Sequence, residues 1–157
     1  MEKIEIRRVG YLDPDAQALV EAALADLRER YGDGDGDGTP IDAADFDPPR
    51  GAFFVAYLDG EPVASGAWRG HGPDGTTAEI KRMYTAPAAR GRGLARAVLA
   101  EVERSAHEHG RRRVVLETGI RQPEAIQLYL TSGYGRIADF GFYRDAPDVR
   151  SFGKELS

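Results

Sequence analysis

The residues best suited to chemistry lie in the stretch AARGRGLARAVLAEVE, which begins at Ala88. Its first nine residues contain three arginines and two glycines, namely Arg90, Gly91, Arg92, Gly93 and Arg96. Glycines let backbone N–H groups approach an anion, a helix start adds partial positive charge, and arginines donate charge-assisted hydrogen bonds. The pattern predicts a phosphate-binding loop, and a tight turn with solvated arginines is the alternative.

Other glycine-rich or basic loops fit this stretch less well. A dinucleotide-binding fingerprint needs a third glycine where Arg96 stands, and a Walker loop needs Gly-Lys-Ser/Thr. A nucleic-acid arm would be surrounded by more basic and aromatic residues, whereas this stretch leads into an amphipathic helix. The formal net charge of −5 also argues against bulk binding of polyanions. We therefore expect no nucleic-acid partner.

The elements around this loop predict a mixed α/β (α+β) fold. Alternating apolar residues predict a strand near the start, and Asp13 with Pro14 predicts the beginning of a helix that runs to about Tyr31. Asp59-Gly60 predicts a hairpin turn between two further strands. The predicted order is β-α-β-β-β-α-β-α-β, with residues 134–143 as a late strand or loop and a final strand in SFGKEL. We expect a single domain over residues 1–157.

Composition narrows the class of protein further. The absence of cysteine excludes disulfides, cysteine catalysis and thiolate metal sites. No secretory signal and no membrane span are expected, so a cytoplasmic location is the expectation. The segment GDGDGDG resembles the start of a calcium loop, with Asp33, Asp35 and Asp37 at alternate positions. Ala44 stands where a bidentate glutamate is needed, and the three histidines form no ligand pattern, so we expect no metal site.

Two motifs resemble the GCN5-related N-acetyltransferase (GNAT) superfamily. KRMYTAPAARGRGLARAVL is similar to its acetyl-coenzyme A motif, in which Arg90, Gly93 and Ala95 meet the pattern Arg/Gln-x-x-Gly-x-Gly/Ala. ETGIRQPEAIQLYLTSGY is similar to its later strand–helix motif, although Gln122 stands where many members have asparagine. The element order matches over nearly the whole chain, and LETGIRQPEAI with DFGFY is similar to a bacterial branch.

The resemblance implies a mixed central sheet with splayed central strands, flanked by helices, and acetyl-coenzyme A as co-substrate. The pantetheine arm would enter the gap between the strands, and the pyrophosphate would lie on the glycine–arginine loop. The implied cofactor-binding residues are Met83, Tyr84, Thr85, Arg90, Gly91, Arg92, Gly93, Leu94, Ala95, Arg96 and Gln122.

The resemblance also implies acetyl transfer to a primary amine by direct attack. Glu79 is the candidate base, acting through water, or a carboxylate that only attracts the ammonium. Tyr129 is the candidate acid for the departing thiolate, or a core tyrosine. The alternative function is a non-catalytic acyl-coenzyme A-binding sensor.

Clues to the acceptor are few. The acidic segment from Asp33 to Asp47 would favour a cationic small-molecule or peptide amine, or would be a solvated loop. Phe140, Phe142 and Tyr143 would line the acceptor side or simply pack. A homodimer is compatible with the resemblance.

Overall fold

A computed structural model describes residues 2–32 and 37–156 of the chain. Within them, seven strands form one sheet in the order β1-β2-β3-β4-β5-β7-β6. The strands are β1 (Ile4–Val9), β2 (Gly51–Leu58), β3 (Glu61–His71), β4 (Thr77–Thr85), β5 (Arg113–Gly119), β6 (Gly135–Arg136) and β7 (Val149–Glu155). The helices are α1 (Pro14–Tyr31), α2 (Leu94–Glu108) and α3 (Pro123–Thr131), with short 3-10 turns at Ala43–Phe46 and Pro87–Ala89. The predicted fold class is confirmed.

Local sequence signals explain the first half of this order. A side-chain oxygen of Asp13 accepts from the backbone N–H of Asp15 at 2.9 Å, and Pro14 occupies the first turn of α1. At the β2–β3 turn, Asp59 and Gly60 have φ angles of 51° and 88°. Positive φ at both central residues is what a tight type I′ hairpin requires.

Each face of the sheet is covered by its own core. On one face α2 and α3 bury Trp68, Val98 and Leu116, and the Trp68 indole donates to Ser105 Oγ at 3.0 Å. On the other face α1 and the Ala43–Phe46 turn bury Phe46 and Phe53. Removing this apolar surface from water on both faces holds the central strands rigidly in place.

The C-terminal region contains the final strand predicted in SFGKEL, which starts two residues earlier than that segment. The final strand, β7, begins at Val149 and pairs antiparallel with β5 over seven residue pairs. Of the late segment 134–143, only Gly135 and Arg136 form a strand. Val149 and Arg150, which precede SFGKEL, join the strand because they pair with Gly119 and Thr118 of β5.

The two central parallel strands separate soon after they meet. β4 and β5 pair only from Thr77–Arg113 to Glu79–Val115. Beyond Glu79, the edge of β4 that faces β5 has no strand partner among the described residues. The splayed strands that the family resemblance implies are therefore present, and they leave a gap at the centre of the sheet.

A β-bulge reshapes β4 at this gap. Ser65 pairs with Tyr84 and Ala67 pairs with Lys81, so Arg82 and Met83 together oppose Gly66. Arg82 has a φ of 60°, which is uncommon for a residue other than glycine. The hydroxyl of Ser65 donates to the Arg82 carbonyl at 2.7 Å and fixes the bulge. Bulges re-aim side chains, and this one does so beside the gap.

Candidate active site

A cavity of about 540 Å³ lies between the diverging strands. Its walls come from four elements: α1, the part of β4 that follows Glu79, the end of β5, and α3. The loop before β7 closes one side, with Tyr143 and residues 146–149. A gap of this kind between two rigid strands is a typical position for a ligand in an α/β protein.

The glycine–arginine loop leads directly into α2 beside β4. Gly91 and Gly93 have φ angles of 82° and 75°, and Gly93 is the N-cap of the helix with no side-chain capping bond. The structure shows no acceptor, among residues 2–32 and 37–156, for the backbone N–H groups from Gly91 to Arg96. The loop therefore presents several free donors at a helix start, as an anion site requires.

The three arginines of the motif point in different directions. Arg90 Nε donates to the Thr85 carbonyl at 3.2 Å, which ties the loop to β4. Arg92 forms an ion pair with Glu2. Arg96 instead donates to Ser132 Oγ at 3.0 Å and to Thr131 Oγ1 at 2.8 Å, so it joins α2 to the end of α3.

The other residues expected to bind the cofactor differ in position. Met83, Tyr84 and Gln122 line the cavity, and the amide nitrogen of Gln122 lies 3.3 Å from the Tyr31 hydroxyl. Thr85 pairs with Ala64 of β3 and is not among the lining residues. Leu94 is buried in the core, so its backbone N–H and not its side chain is available to a cofactor.

Tyr129 lies on the cavity wall and is only 5% exposed. Its ring contacts Tyr134 edge-on at a centroid distance of 5.5 Å. Burial raises the pKa of the Tyr129 phenol well above its ordinary value. No residue of the described chain forms a hydrogen bond with this hydroxyl, so a neutral donor faces the cavity.

Glu79 lies just before the point where the strands separate. It is 4% exposed, and its Oε1 accepts from Arg69 Nε at 3.1 Å. Arg69 also donates to the Pro40 carbonyl at 2.8 Å, so the segment before β2 covers this pair. Glu79 is not among the cavity-lining residues, and the structure does not bring it to the wall that holds Tyr129.

The sequence reasoning missed a charged cluster on the cavity wall. Lys81 Nζ and Arg82 Nη1 both contact Asp37 Oδ2, at 3.1 and 3.3 Å. Thr39 donates to the other oxygen of Asp37 from its backbone and its hydroxyl, at 2.9 and 2.6 Å. Burial alone would raise the pKa of Asp37, but the charge of Lys81 and the bonds from Thr39 lower it to about 2. The available signal was the pair of adjacent cations in the strand sequence TAEIKRMYT.

Glu117 on β5 is a second acidic group of the wall that the sequence reasoning did not select. The backbone N–H of Tyr143 donates to its Oε2 at 3.0 Å, while its buried Oε1 has no partner within the described part of the chain. Burial raises the pKa of Glu117, and the negative charges of Glu79 and Asp37 add to this effect. The bond from Tyr143 and the charge of Lys81 oppose it without reversing it. A carboxylate whose pKa is raised is a stronger base than an ordinary carboxylate.

The residues proposed for the acceptor side are divided by the structure. Tyr143 lines the cavity, and the Gly38 N–H donates to its hydroxyl at 2.6 Å. Phe142 is 51% exposed, and Phe140 packs edge-on against His71 at 5.0 Å.

The acidic segment is only partly described by the structure. Asp33 and Asp35, on which the calcium-like pattern depends, lie outside the described residues. Among those that are described, no three His, Asp or Glu side chains gather in a way that could hold a metal ion. No helix of the described ranges is long and apolar enough to span a membrane.

Comparison with known proteins agrees with this architecture. The model of the Acetyltransferase (GNAT) family matches residues 16–134. The chain is 36% identical over 95 residues to an IAA acetyltransferase of Azospirillum brasilense, which is 60% of this chain and 61% of that protein. It is 35% identical over 96 residues to the human N-acetylaspartate synthetase, which is 61% of this chain and 32% of that protein. The aligned part thus spans less than two thirds of these relatives.

Solved structures match over a greater length. A Klebsiella pneumoniae protein assigned to the acyl-CoA N-acyltransferases is 28% identical, with a TM-score of 0.81 and 98% of each chain covered. The N-acetylglutamate synthase of Neisseria gonorrhoeae, complexed with coenzyme A and N-acetyl-glutamate, has a TM-score of 0.71 over 99% of this chain and 35% of its own. At 15% identity it supports the fold alone. By its matching family model and by the strands that separate around the cavity, the chain belongs to the Acetyltransferase (GNAT) family.

Proposed function

We propose that this protein is an acetyl-coenzyme A-dependent N-acetyltransferase that acts by direct attack of a primary amine. The observation that supports this most is the gap between β4 and β5, which opens beside the uncapped start of α2. The single-domain organisation of residues 1–157 stays a prediction that is compatible with this proposal.

The backbone around the gap suits an elongated acyl thioester. From Ile80 onward, the free edge of β4 can pair with the amides of a pantetheine arm as a neighbouring strand would. The free N–H groups from Gly91 to Arg96 suit a pyrophosphate, and Arg90 and Arg92 lie close enough in the chain to add charge. The sulfur would then lie inside the cavity that Tyr129 lines.

The reaction needs three proton transfers. A carboxylate takes one proton from the ammonium, and the freed amine nitrogen then forms a bond to the acetyl carbon while the carbon–sulfur bond breaks and the thiolate leaves. The thiolate takes a proton from the Tyr129 hydroxyl, which burial keeps protonated. The second proton that the nitrogen loses as the amide forms returns to the Tyr129 oxygen. A backbone N–H of the bulge, at Met83 or Tyr84, would donate to the carbonyl oxygen as negative charge develops there.

The geometry favours Glu117 over Glu79 as the carboxylate that takes the proton from the ammonium. Glu117 lies on the cavity wall with one oxygen unpaired, whereas Glu79 lies behind the wall and is paired with Arg69. The charge of Glu79 raises the pKa of Glu117 and so strengthens it as a base. The role predicted for Glu79, base through water, remains the alternative.

Two acceptor classes follow from different observations. The acidic segment favours a cationic amine, as the sequence predicted. The name N-acetylaspartate synthetase describes a protein whose product is an acetylated amino acid, and this would favour an acceptor with a carboxylate.

A free-thiol release assay over a panel of amines, run beside calorimetric binding of acetyl-coenzyme A, tests the proposed function. We expect micromolar binding and release of one thiol per acetylated product, confirmed by mass spectrometry. Binding without turnover on any amine would favour the acyl-coenzyme A sensor. Failure to bind the thioester would contradict both functions.

A further inference from the structure

Two neighbouring cations on the cavity wall share one carboxylate. In a regular strand, adjacent side chains point to opposite faces of the sheet. Lys81 and Arg82 nevertheless both reach Asp37 Oδ2, because the bulge interrupts the alternation at Arg82. Their side chains are 9% and 6% exposed, so both charges are largely removed from water.

Arg82 is incompletely paired in this arrangement. A guanidinium has five N–H donors, and among the described residues only Nη1 of Arg82 has a partner, at 3.3 Å. Its Nε is buried without any acceptor. Buried polar groups in native proteins are nearly always paired, so the free donors point to a missing acceptor oxygen. Glu117 does not supply it, since it forms no ion pair with Lys81 or Arg82 within the described ranges.

The position of Arg82 distinguishes it from an arginine that only packs. Arg111 also has a buried Nε without an acceptor, but its guanidinium lies over the Trp68 ring at 5.4 Å and donates to the Thr77 carbonyl. Arg111 is not among the cavity-lining residues, whereas Arg82 is. Arg82 is also held at a φ of 60°, and rare backbone conformations concentrate at functional sites.

We propose that the amine acceptor also bears a carboxylate, and that this carboxylate binds the free donors of Arg82 with Lys81 adding charge. The amine of the same small molecule would then reach Glu117 on the opposite wall. The acceptor is thus an amino acid-like molecule. This inference rests on the proposed N-acetyltransferase function and assigns the substrate class of that site.

Asp37 provides a second, independent test of the inference. It binds the same two cations, so it competes with any carboxylate that enters the cavity. If the acceptor bears a carboxylate, removing the charge of Asp37 strengthens its binding. If the acceptor is instead a polyamine or another purely cationic amine, Asp37 attracts it, and removing the charge weakens its binding.

The test compares acceptors in matched pairs: leucine with 3-methylbutylamine, phenylalanine with phenethylamine, and lysine with cadaverine. We expect the amino acid of at least one pair to have a kcat/KM about 10- to 100-fold higher, the range for hydrogen bonds to a charged group. Arg82→Gln should remove this preference, while Arg111→Gln, the matched buried arginine, should keep it. Thermal melts of both variants report folding.

Asp37→Asn keeps the inference testable if Arg82→Gln fails to fold. We expect the KM of the preferred amino acid to fall in Asp37→Asn. Equal or better use of every decarboxylated amine, or a rise of that KM in Asp37→Asn, overturns the inference.

Direct binding separates this inference from the proposed function. The same amino acids are titrated calorimetrically into the protein saturated with coenzyme A. If no amine is acetylated but an amino acid binds and Arg82→Gln abolishes binding, the transferase function fails and the carboxylate site stands. If decarboxylated amines are acetylated and no amino acid binds, the function stands and the carboxylate site is wrong. If neither turnover nor amino acid binding occurs, both are wrong.

Discussion

Arg69 Nε donates to Glu79 Oε1 at 3.1 Å, and both side chains are largely buried behind the cavity wall. Since Glu79 does not line the cavity, we expect it to act on the reaction through its charge, which acts on Glu117. The charge of Glu79 raises the pKa of Glu117, so Glu79→Gln lowers that pKa. Because the base must be deprotonated, the acidic limb of the kcat/KM profile should move to lower pH, with kcat largely kept. The measurement is the pH profile of both variants, Glu79→Gln and Glu117→Gln.

Glu117→Gln should behave differently from Glu79→Gln. Removing the base itself should lower kcat by about 10²- to 10⁴-fold and abolish the acidic limb. If Glu79→Gln shows that loss and Glu117→Gln does not, the carboxylate predicted from the sequence is the base. In that case Glu117 lines the cavity but does not act as the base.

The loop before α2 allows a test in which shape is held nearly constant. Gly93→Asp and Gly93→Asn add side chains of similar size at a φ of 75°, a conformation that both residues tolerate better than most. No heavy atom lies within 4 Å of the position of a Cβ there, so the Cβ of neither variant clashes. The difference between them is charge beside the expected pyrophosphate. We expect Gly93→Asp to bind acetyl-coenzyme A more than about tenfold more weakly than Gly93→Asn.

The binding measurement can be repeated with dephospho-coenzyme A. This compound keeps the pyrophosphate, so the difference between Gly93→Asp and Gly93→Asn should persist. Equal affinities of the two folded variants would mean that the pyrophosphate does not bind at this loop.

Gly66 allows a test of the bulge. A Cβ there would lie 2.5 Å from Met83 Sδ and 2.7 Å from Val98 Cγ1. Because both neighbours lie in a packed core, Gly66→Ala should lower the free energy of unfolding by about 1–3 kcal/mol. Gly10→Ala is the matched control, since nothing lies within 4 Å of its built Cβ. Chemical denaturation of both variants checks the difference, and equal stability would mean that the bulge repacks at no cost.

Local signals determined how much of the fold the sequence could predict. Asp13 and Pro14 start a helix, and Asp59-Gly60 forms a turn, through contacts with residues close by in the chain. The elements predicted from these residues are confirmed. The final strand predicted in SFGKEL is present as well, but its start at Val149 depends on pairing with β5, which is distant in the chain.

The site was less predictable because its groups meet only in the folded chain. The glycine–arginine motif is local and was found. The adjacent cations Lys81 and Arg82 are visible in the sequence, but their shared contact with Asp37 is not. Two adjacent strand residues are expected on opposite faces, and the bulge opposite Gly66 is what brings both to one carboxylate. Glu117 gains its raised pKa from burial and from Glu79, neither of which its own neighbours in the chain supply.

Tyr129→Phe separates the catalytic from the structural role of this tyrosine. The substitution keeps the ring and its contact with Tyr134 but removes the hydroxyl that faces the cavity. We expect turnover to fall by about 10²- to 10⁴-fold with little change in the Kd of acetyl-coenzyme A. Single-turnover acetylation is measured beside a thermal melt. Normal chemistry with a lowered melt would identify Tyr129 as a core residue only.

Asp37 links the cavity to the pH dependence of stability. The pKa of Asp37 is lowered from its ordinary value to about 2, so the unfolded chain binds its proton more readily than the folded chain does. The stabilisation is therefore fully present above pH of about 4 and is lost as the pH falls through about 2. Its size is about 2 kcal/mol, since each pKa unit corresponds to about 1.4 kcal/mol.

Asp37→Asn removes this contribution and leaves Lys81 and Arg82 without their shared carboxylate. The variant should therefore unfold at a lower denaturant concentration than the wild type at pH 7. The difference should stay constant down to about pH 5 and shrink below about pH 4, as the unfolded wild-type chain binds a proton at this carboxyl. Urea titrations of both proteins between pH 3 and 7 provide the measurement. A variant as stable as the wild type at pH 7 would contradict a net stabilisation by Asp37.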